Sequence, residues 1–399
     1  MTDMTTRRYD LDWLRVIAFL ILIFYHTGMF YVTWGWHVKS VHAGPDAEWL
    51  MLLTNPWRLS LLFFISGVAL RFLADKGGIG ARMRERSWRL GIPILFGMAV
   101  IVAPQSWLQL VESGEFEGSF WAFWPEYIDP MSEFSITTPT WNHLWYVVYL
   151  LVYTLILLPP SGLISRFMQG AGEKVTRFLF AGRFGILSAL AIPVLPHILY
   201  RVLLDPHFPT THNLTEDWAN HAHSFTMLLM GFVLAKDKHF WSAVRRSLPW
   251  AAGLVLTLGA TLSVVWTNWE AWAESGNYDW IIWPARIARL AYAWIMILTL
   301  IGLAARYLLH DSPALRYMTE AVFPWYILHQ TLTVMAGFWL TRQGLPVEVE
   351  FPLVVLATFG GCALLHELVI RRIGWFRPLF GLKPRPGSTP SDRAIQVAG

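Results

Sequence analysis

The stretch "LDWLRVIAFLILIFYHTGMF", residues 11–30, decides how the rest of the chain is read. Twenty residues at about 1.5 Å each cross the roughly 30 Å apolar core of a bilayer. A span that serves only as an anchor has no use for Arg15 or His26. Burying an ionisable group at membrane depth costs free energy, so such a group marks a functional position by default. The two residues are eleven apart, close to three turns. They therefore lie within about 20° of one helix face and about 16 Å apart along it. Phe19 and Leu22 continue the stripe. The plain alternative for Arg15 is snorkelling to cytoplasmic headgroups. For His26, near mid-depth, it is a packed histidine bonded to a neighbouring helix. One face carrying both, at two depths, favours a polar seam turned toward the interior of a helix bundle.

Composition agrees with a membrane chain. Of 399 residues, 55% are hydrophobic and only 15% charged, against about 25% charged in soluble domains. The 23 Trp and 13 Tyr suit a chain with many membrane–water interfaces. Cys362 is the single cysteine, which excludes an internal disulfide or a thiolate metal cluster. The net charge of +4 is too small to argue for nucleic acid, so no nucleic-acid partner is expected. Arg7 and Arg8 before an apolar run imitate a signal peptide. No small-x-small cleavage site follows, and the run is long enough to be a retained first span.

Apolar windows of about twenty residues fall near 13–33, 56–74, 91–111, 142–160, 184–204, 221–236, 249–268, 281–304, 319–340 and 351–370. The expected fold is all-α, a polytopic integral membrane protein with about ten transmembrane helices. Lysine and arginine orient it. With the N-terminus cytoplasmic, Arg7, Arg8, the Arg71–Arg89 cluster, Arg166–Arg183, Lys236–Arg246, Arg306, Arg316 and the tail from Arg371 lie inside. An even number of spans then makes both termini cytoplasmic. Residues 1–382 form one membrane domain, and the Pro-rich polar tail 383–399 is expected to be a disordered cytoplasmic segment. The outer connections 34–55, 112–141 and 205–220 are long enough to act as a lid.

Further polar groups fall inside or beside these spans. His329 lies about mid-depth in "VFPWYILHQTL", Ser66-Gly67 ends "LLFFISG", and His143 opens the span "TWNHLWYVVYLL" on the outer side. His366 and Glu367 are expected at the inner interface. Arg82, Arg84, Arg86 and Arg89 precede the third span. They are either an ordinary positive-inside cluster on anionic lipid or a phosphate site, since guanidinium forks match phosphate oxygens. Arg58, Arg201, Arg286 and Arg289 occupy the outer halves of spans two, five and eight. They pair with rim acids such as Asp205, or some of them hold a carboxylate on a substrate. Arg286 and Arg289, three apart, are expected to be neighbours. There is no internal repeat, P-loop, GxGxxG, GxSxG or HExxH, and no metal is expected.

In order and placement, these elements resemble the membrane-bound acyltransferase-3 family. "DLDWLRVIAFLILIFYH" matches that family's first helix through Arg15 and His26. Phe63, Phe64, Ser66 and Gly67 match its FFxxSG-like element, Arg86, Arg89 and Pro93 its RxxR before proline, and Tyr326 and His329 a late YxxH. O-antigen acetylating members tend to show W-[ST]-L-x-x-E in the fourth helix. Here Trp141-Asn142-His143-Leu144-Trp145-Tyr146 is followed by no acid in the next turn. The "HLWY" text and the opening look more like the branch associated with succinylation of osmoregulated periplasmic glucans.

The resemblance implies a multi-pass enzyme of the bacterial inner (cytoplasmic) membrane. It would move an acyl group from acyl-CoA, either succinyl-CoA or acetyl-CoA, to hydroxyls of a periplasmic glycan, with no tightly bound cofactor. His26 would be the general base, with an acyl-imidazole on it as the open variant. Arg15 would orient the donor, and His329 would stabilise the oxyanion or relay the proton. Arg82, Arg86 and Arg89, with Ser66, belong to the donor side. His143 and Trp145, with Arg58, Arg201, Arg286 and Arg289, belong to the acceptor and acyl side. Besides acyl-CoA and the glycan, the partner is the lipid bilayer, and the oligomeric state stays open, a homodimer included. The alternatives are acetylation of another envelope glycan and a proton-coupled secondary transporter or exporter, which predicts broken helices and repeated halves. A non-catalytic scaffold would leave the polar seam without purpose.

Overall fold

The computed structural model describes residues 7–276 and 279–384. The tail expected to be disordered lies outside these from residue 385 onward. Among the described residues the chain is all-helical, with no strand. The first helices are α1 (Tyr9–Met29), α2 (Glu48–Ala74), α3 (Ile79–Phe96), α4 (Ala103–Glu112), α5 (Phe120–Ile128) and α6 (Trp145–Leu157). Next come α7 (Ser161–Gln169), α8 (Ala171–Phe180), α9 (Gly185–Ala191), α10 (Leu195–Leu203) and α11 (Trp218–Leu234). The chain continues through α12 (Lys238–Thr267), α13 (Trp269–Glu274), α14 (Asp279–Tyr307), α15 (Pro313–Leu340) and α16 (Val347–Leu365).

Among the described residues, seven helical segments are long and apolar enough to cross a membrane: 9–29, 45–74, 79–112, 185–203, 238–267, 280–307 and 347–370. An eighth is added if α6 and α7, bent by 68° at their junction, count as one. The break falls at Pro159-Pro160, where missing N–H groups end the helical ladder. The two remaining expected windows are helices that fall short for identifiable reasons. α11 has 17 residues, about 26 Å of rise. α15 is long, but it carries His329, Gln330, Thr331 and Thr333, all buried, which depress its hydropathy. The helix that fails the hydropathy test is the one loaded with polar groups.

The chain divides into two compact units. The first comprises residues up to 18, 48–83 and 152–315. Its centre is the α2–α11 pair, which approaches to backbone contact. A Cβ on Gly67 would sit 1.9 Å from the Leu228 carbonyl oxygen, and one on Gly231 would sit 2.0 Å from that of Phe64. Without a hydrophobic force between helices in lipid, small residues that admit such contact supply the packing. The glycine of the FFxxSG-like element is thus a helix-packing residue. At the N-terminus, Arg8 bonds Asp10 through Nε at 2.9 Å and Nη2 at 2.7 Å, and it stacks on Trp241 at 4.0 Å.

The second unit comprises residues 19–47, 84–151 and 316 onward. Between α3 and α4 runs a π-helical stretch, Gly97–Val102. Its carbonyls take side-chain donors: Met98 from Tyr127 at 2.8 Å, Ala99 from Trp124 at 2.8 Å, and Ile101 from Thr331 at 2.5 Å. Such stretches recur at functional positions. The connection 112–141 is built around α5, capped by Ser119, whose Phe123 and Tyr127 bury against Ala103 and Leu110. It is a packed element. His366, expected at an interface, is fully buried in a second π-helical stretch, His366–Ile370.

Gly67→Ala should separate α2 from α11. Overpacking costs about 1–3 kcal/mol, and at about 2–4 °C per kcal/mol the melting temperature in detergent should fall on the order of 5 °C. Gly91→Ala is the control, since nothing lies within 4 Å of its Cβ position. Equal melting curves for both variants would remove this account of Gly67.

Candidate active site

The polar residues of the second unit converge on one imidazole pair. His26, late in α1, and His329, mid-way along α15, stack with centroids 4.9 Å apart at 10°. His26 Nδ1 and His329 Nε2 are 2.7 Å apart. The network assigns the protons. His329 Nδ1 is 2.6 Å from the Tyr326 carbonyl, which only accepts, so Nδ1 carries the hydrogen and neutral His329 has its lone pair at Nε2. His26 must then donate from Nδ1, and its own lone pair sits at Nε2. His329 is fully buried and His26 half-buried. Neutral His329 has both nitrogens committed and no N–H left for an oxyanion.

His143 completes the cluster, edge-on to His329 at 5.1 Å and to His26 at 6.5 Å. Asn142, at φ 38°, opens this turn, and asparagine tolerates that left-handed conformation better than most residues. The His143 Nε2–H donates to the Ile327 carbonyl at 3.1 Å, and the Tyr326 hydroxyl donates to the carbonyl of His143. Nδ1 of His143 accepts from Gln105 at 3.5 Å. Gln105 is fully buried and joins three elements: its own α4, the 142–144 turn and α15. Its amide donates to Thr331 Oγ1 at 2.7 Å, and its carbonyl oxygen accepts from Gln330 at 2.9 Å and Asn142 at 3.2 Å. Gln330 also donates to His37 Nε2 at 3.0 Å, and His37 Nδ1–H donates to Gln109 at 2.6 Å. Burial holds the His37 pKa below its ordinary value, with the Gln109 hydrogen bond opposing. His37 is therefore neutral at pH 7, as its acceptor nitrogen requires.

The other expected residues fall in several places. Arg15, in the first unit, pairs with Asp12 at 3.4 Å, and Trp145 is buried edge-on to Tyr149 at 5.1 Å. Arg82 is buried in the first unit, its Nη1 donating to the carbonyls of Lys76 and Gly77. Its charge closes the α2–α3 turn. In the second unit, Arg86 is half-buried and Arg89 exposed, with Arg89 Nε donating to Gly381 at 3.2 Å. Ser66 is half-buried on α2 beside the packing glycine.

The four outer arginines are not one set. Arg201 and Arg289 line a single cavity of the first unit, and Arg201 is paired with Asp205 at 2.7 Å. Arg58 is buried. Arg286, expected beside Arg289, is instead exposed and stacks on Trp283 at 5.2 Å. The three-residue spacing leaves a 60° offset around the helix, enough to turn one side chain outward. Sequence analysis missed His37, Gln105, Gln109 and Gln330. The available signal was the run of polar side chains His329-Gln330-Thr331 inside an otherwise apolar helix.

Gln105→Leu should strand several buried partners at about 1–3 kcal/mol each. It should lower thermal stability more than Gln109→Leu, which removes one bond. A Gln105→Leu protein as stable as the parent would show that the network is not held by this amide.

Comparison with known proteins identifies the family. An acyltransferase-domain family model, acyltransferase-3, matches residues 8–367. Glucans biosynthesis protein C of Salmonella schwarzengrund (strain CVM19633) is 22% identical over 394 residues, 98% of each chain. The protein of that name from Escherichia coli O157:H7 (strain EC4115 / EHEC) is 23% identical over 384 residues, 95% of each. No solved structure matches the chain significantly. The family model covers nearly the whole chain, and the chain accordingly belongs to the acyltransferase-3 family: it is a membrane acyltransferase.

Proposed function

We propose that this enzyme transfers an acyl group, succinyl by preference, from cytoplasmic acyl-CoA to hydroxyls of a periplasmic glucan. It sits in the bacterial inner membrane with ten crossings and both termini cytoplasmic. The names of its relatives, the Lys/Arg distribution and the branch resemblance support this reading. The observation that carries the chemistry is the His26–His329 pair, ordered by the Tyr326 carbonyl.

The steps follow from that pair. His26 Nε2 takes the proton of the acceptor hydroxyl as its oxygen attacks the thioester carbonyl carbon. His26 becomes an imidazolium, whose Nδ1–H bond to His329 strengthens because the donor is now charged. The tetrahedral intermediate collapses, the C–S bond breaks, and the leaving thiolate takes the proton back from His26. Ester and free thiol result, and the histidines return to their starting state. His329 acts as a positioning residue that holds the His26 tautomer. Arg86 and Arg89 meet the donor's phosphates, and Arg15, fixed by Asp12, steadies the inner end of α1.

General-base catalysis contributes about 10²–10⁴-fold, so His26→Ala should lose at least about a hundredfold in kcat with radiolabelled succinyl-CoA and a glucose oligosaccharide. His329→Ala should lose less. Labelled ester formed equally by His26→Ala and parent would sink the base assignment. Label crossing a vesicle membrane without ester would favour the transporter reading. Arg89→Ala should raise the KM for acyl-CoA severalfold and leave the acceptor KM unchanged. An unchanged donor KM would move the phosphate site elsewhere.

A further inference from the structure

A second imidazole pair lies in the first unit. His197 of α10 and His223 of α11 stack with centroids 5.1 Å apart at 7°, their Nδ1 atoms 2.8 Å apart. His223 Nε2 lies 3.2 Å from Asp205 Oδ1, and Arg201 holds the other carboxylate oxygen at 2.7 Å. Burial alone would raise the Asp205 pKa, but the bonds from His223 and Arg201 outweigh it and hold it below the usual value. The carboxylate therefore accepts. With both rings neutral, His223 carries its hydrogen on Nε2, His197 donates from Nδ1, and the His197 lone pair sits at Nε2. That atom is buried with no hydrogen-bond partner, and His197 is only 7% exposed. Leaving a buried polar atom without a partner costs its full desolvation.

His197 lines a cavity of about 400 Å³, with Asp205, Arg201, Arg289 and Trp294 also in its wall. Small-molecule sites span about 300–1,000 Å³. The unmet group is an acceptor, and a carboxylate stands two links behind it. A ligand carboxylate would bring its charge against both. A hydroxyl group can donate to His197 Nε2 and accept from a guanidinium in the same wall. We propose that this cavity is a subsite for a polyhydroxylated ring of the glycan acceptor, with one ring hydroxyl donating to His197 Nε2. The choice of glucan as probe rests on the transferase reading above.

The test separates binding from transfer. Calorimetry of the purified full chain with a linear glucose oligosaccharide should show binding, weakened at least tenfold in His197→Ala and less in His197→Gln, which keeps an acceptor. The acceptor KM should rise by a similar factor with succinyl and acetyl donors alike, while kcat changes less. Ser60→Met, which narrows the cavity from α2, provides the same readout if His197→Ala does not fold. Undiminished binding in His197→Ala or Ser60→Met overturns the subsite, as does selective loss of the succinyl reaction, which would place the acyl carboxylate there. Binding without any acyl transfer by the parent protein would leave the subsite standing and bring down the transferase reading alone.

Discussion

One hydrogen bond orders the chemistry: the carbonyl of Tyr326 takes the Nδ1 proton of His329. A carbonyl cannot donate, so the choice of tautomer passes from His329 to His26 and ends with a lone pair at Nε2 of the half-buried ring. The same accounting runs through His143, Gln105, Gln330 and His37, each with donors and acceptors matched in one direction. Inside apolar helices an unmatched polar group is costly, so the network has little freedom to rearrange. Such rigidity fits the base role proposed for His26.

The two imidazole pairs share a form and differ at the terminus. Each is a near-parallel stack whose inner ring is held by an acceptor and whose outer ring turns a lone pair away from it. The His329 chain ends on a neutral carbonyl, the His223 chain on a carboxylate that is itself braced by arginine. A proton gained by the second pair would face a full negative charge within the same chain of bonds. The first pair faces only a dipole.

Packing serves these sites in two ways. In the first unit, Gly67 and Gly231 let α2 and α11 touch at the backbone, which sets the helices that carry His223 and Asn55, the latter in the cavity wall and accepting from Arg289 at 2.8 Å. In the second, the π-helical stretch after α3 turns carbonyls toward Tyr127, Trp124 and Thr331. Gly381, at φ 71°, lets the C-terminal turn lie under Phe323 and against Arg89, where a Cβ would come within 2.4 Å of the Phe323 ring.

The helical membrane character was determined by the sequence alone, which also singled out His26 and His329 as candidates. Period and hydropathy are local properties, and an imidazole in an apolar helix is conspicuous by composition. Both α11 and α15 were expected as spans, yet α11 has only 17 residues and α15 carries four buried polar side chains. Only the tertiary structure decided that His329 meets His26 across 303 positions of chain, that Arg289 turns inward while Arg286 turns out, and that His197, His223 and Asp205 form one chain of bonds. Hydrogen-bond direction depends on which acceptor faces which ring, and that is a property of packed helices, which a linear spacing rule does not contain.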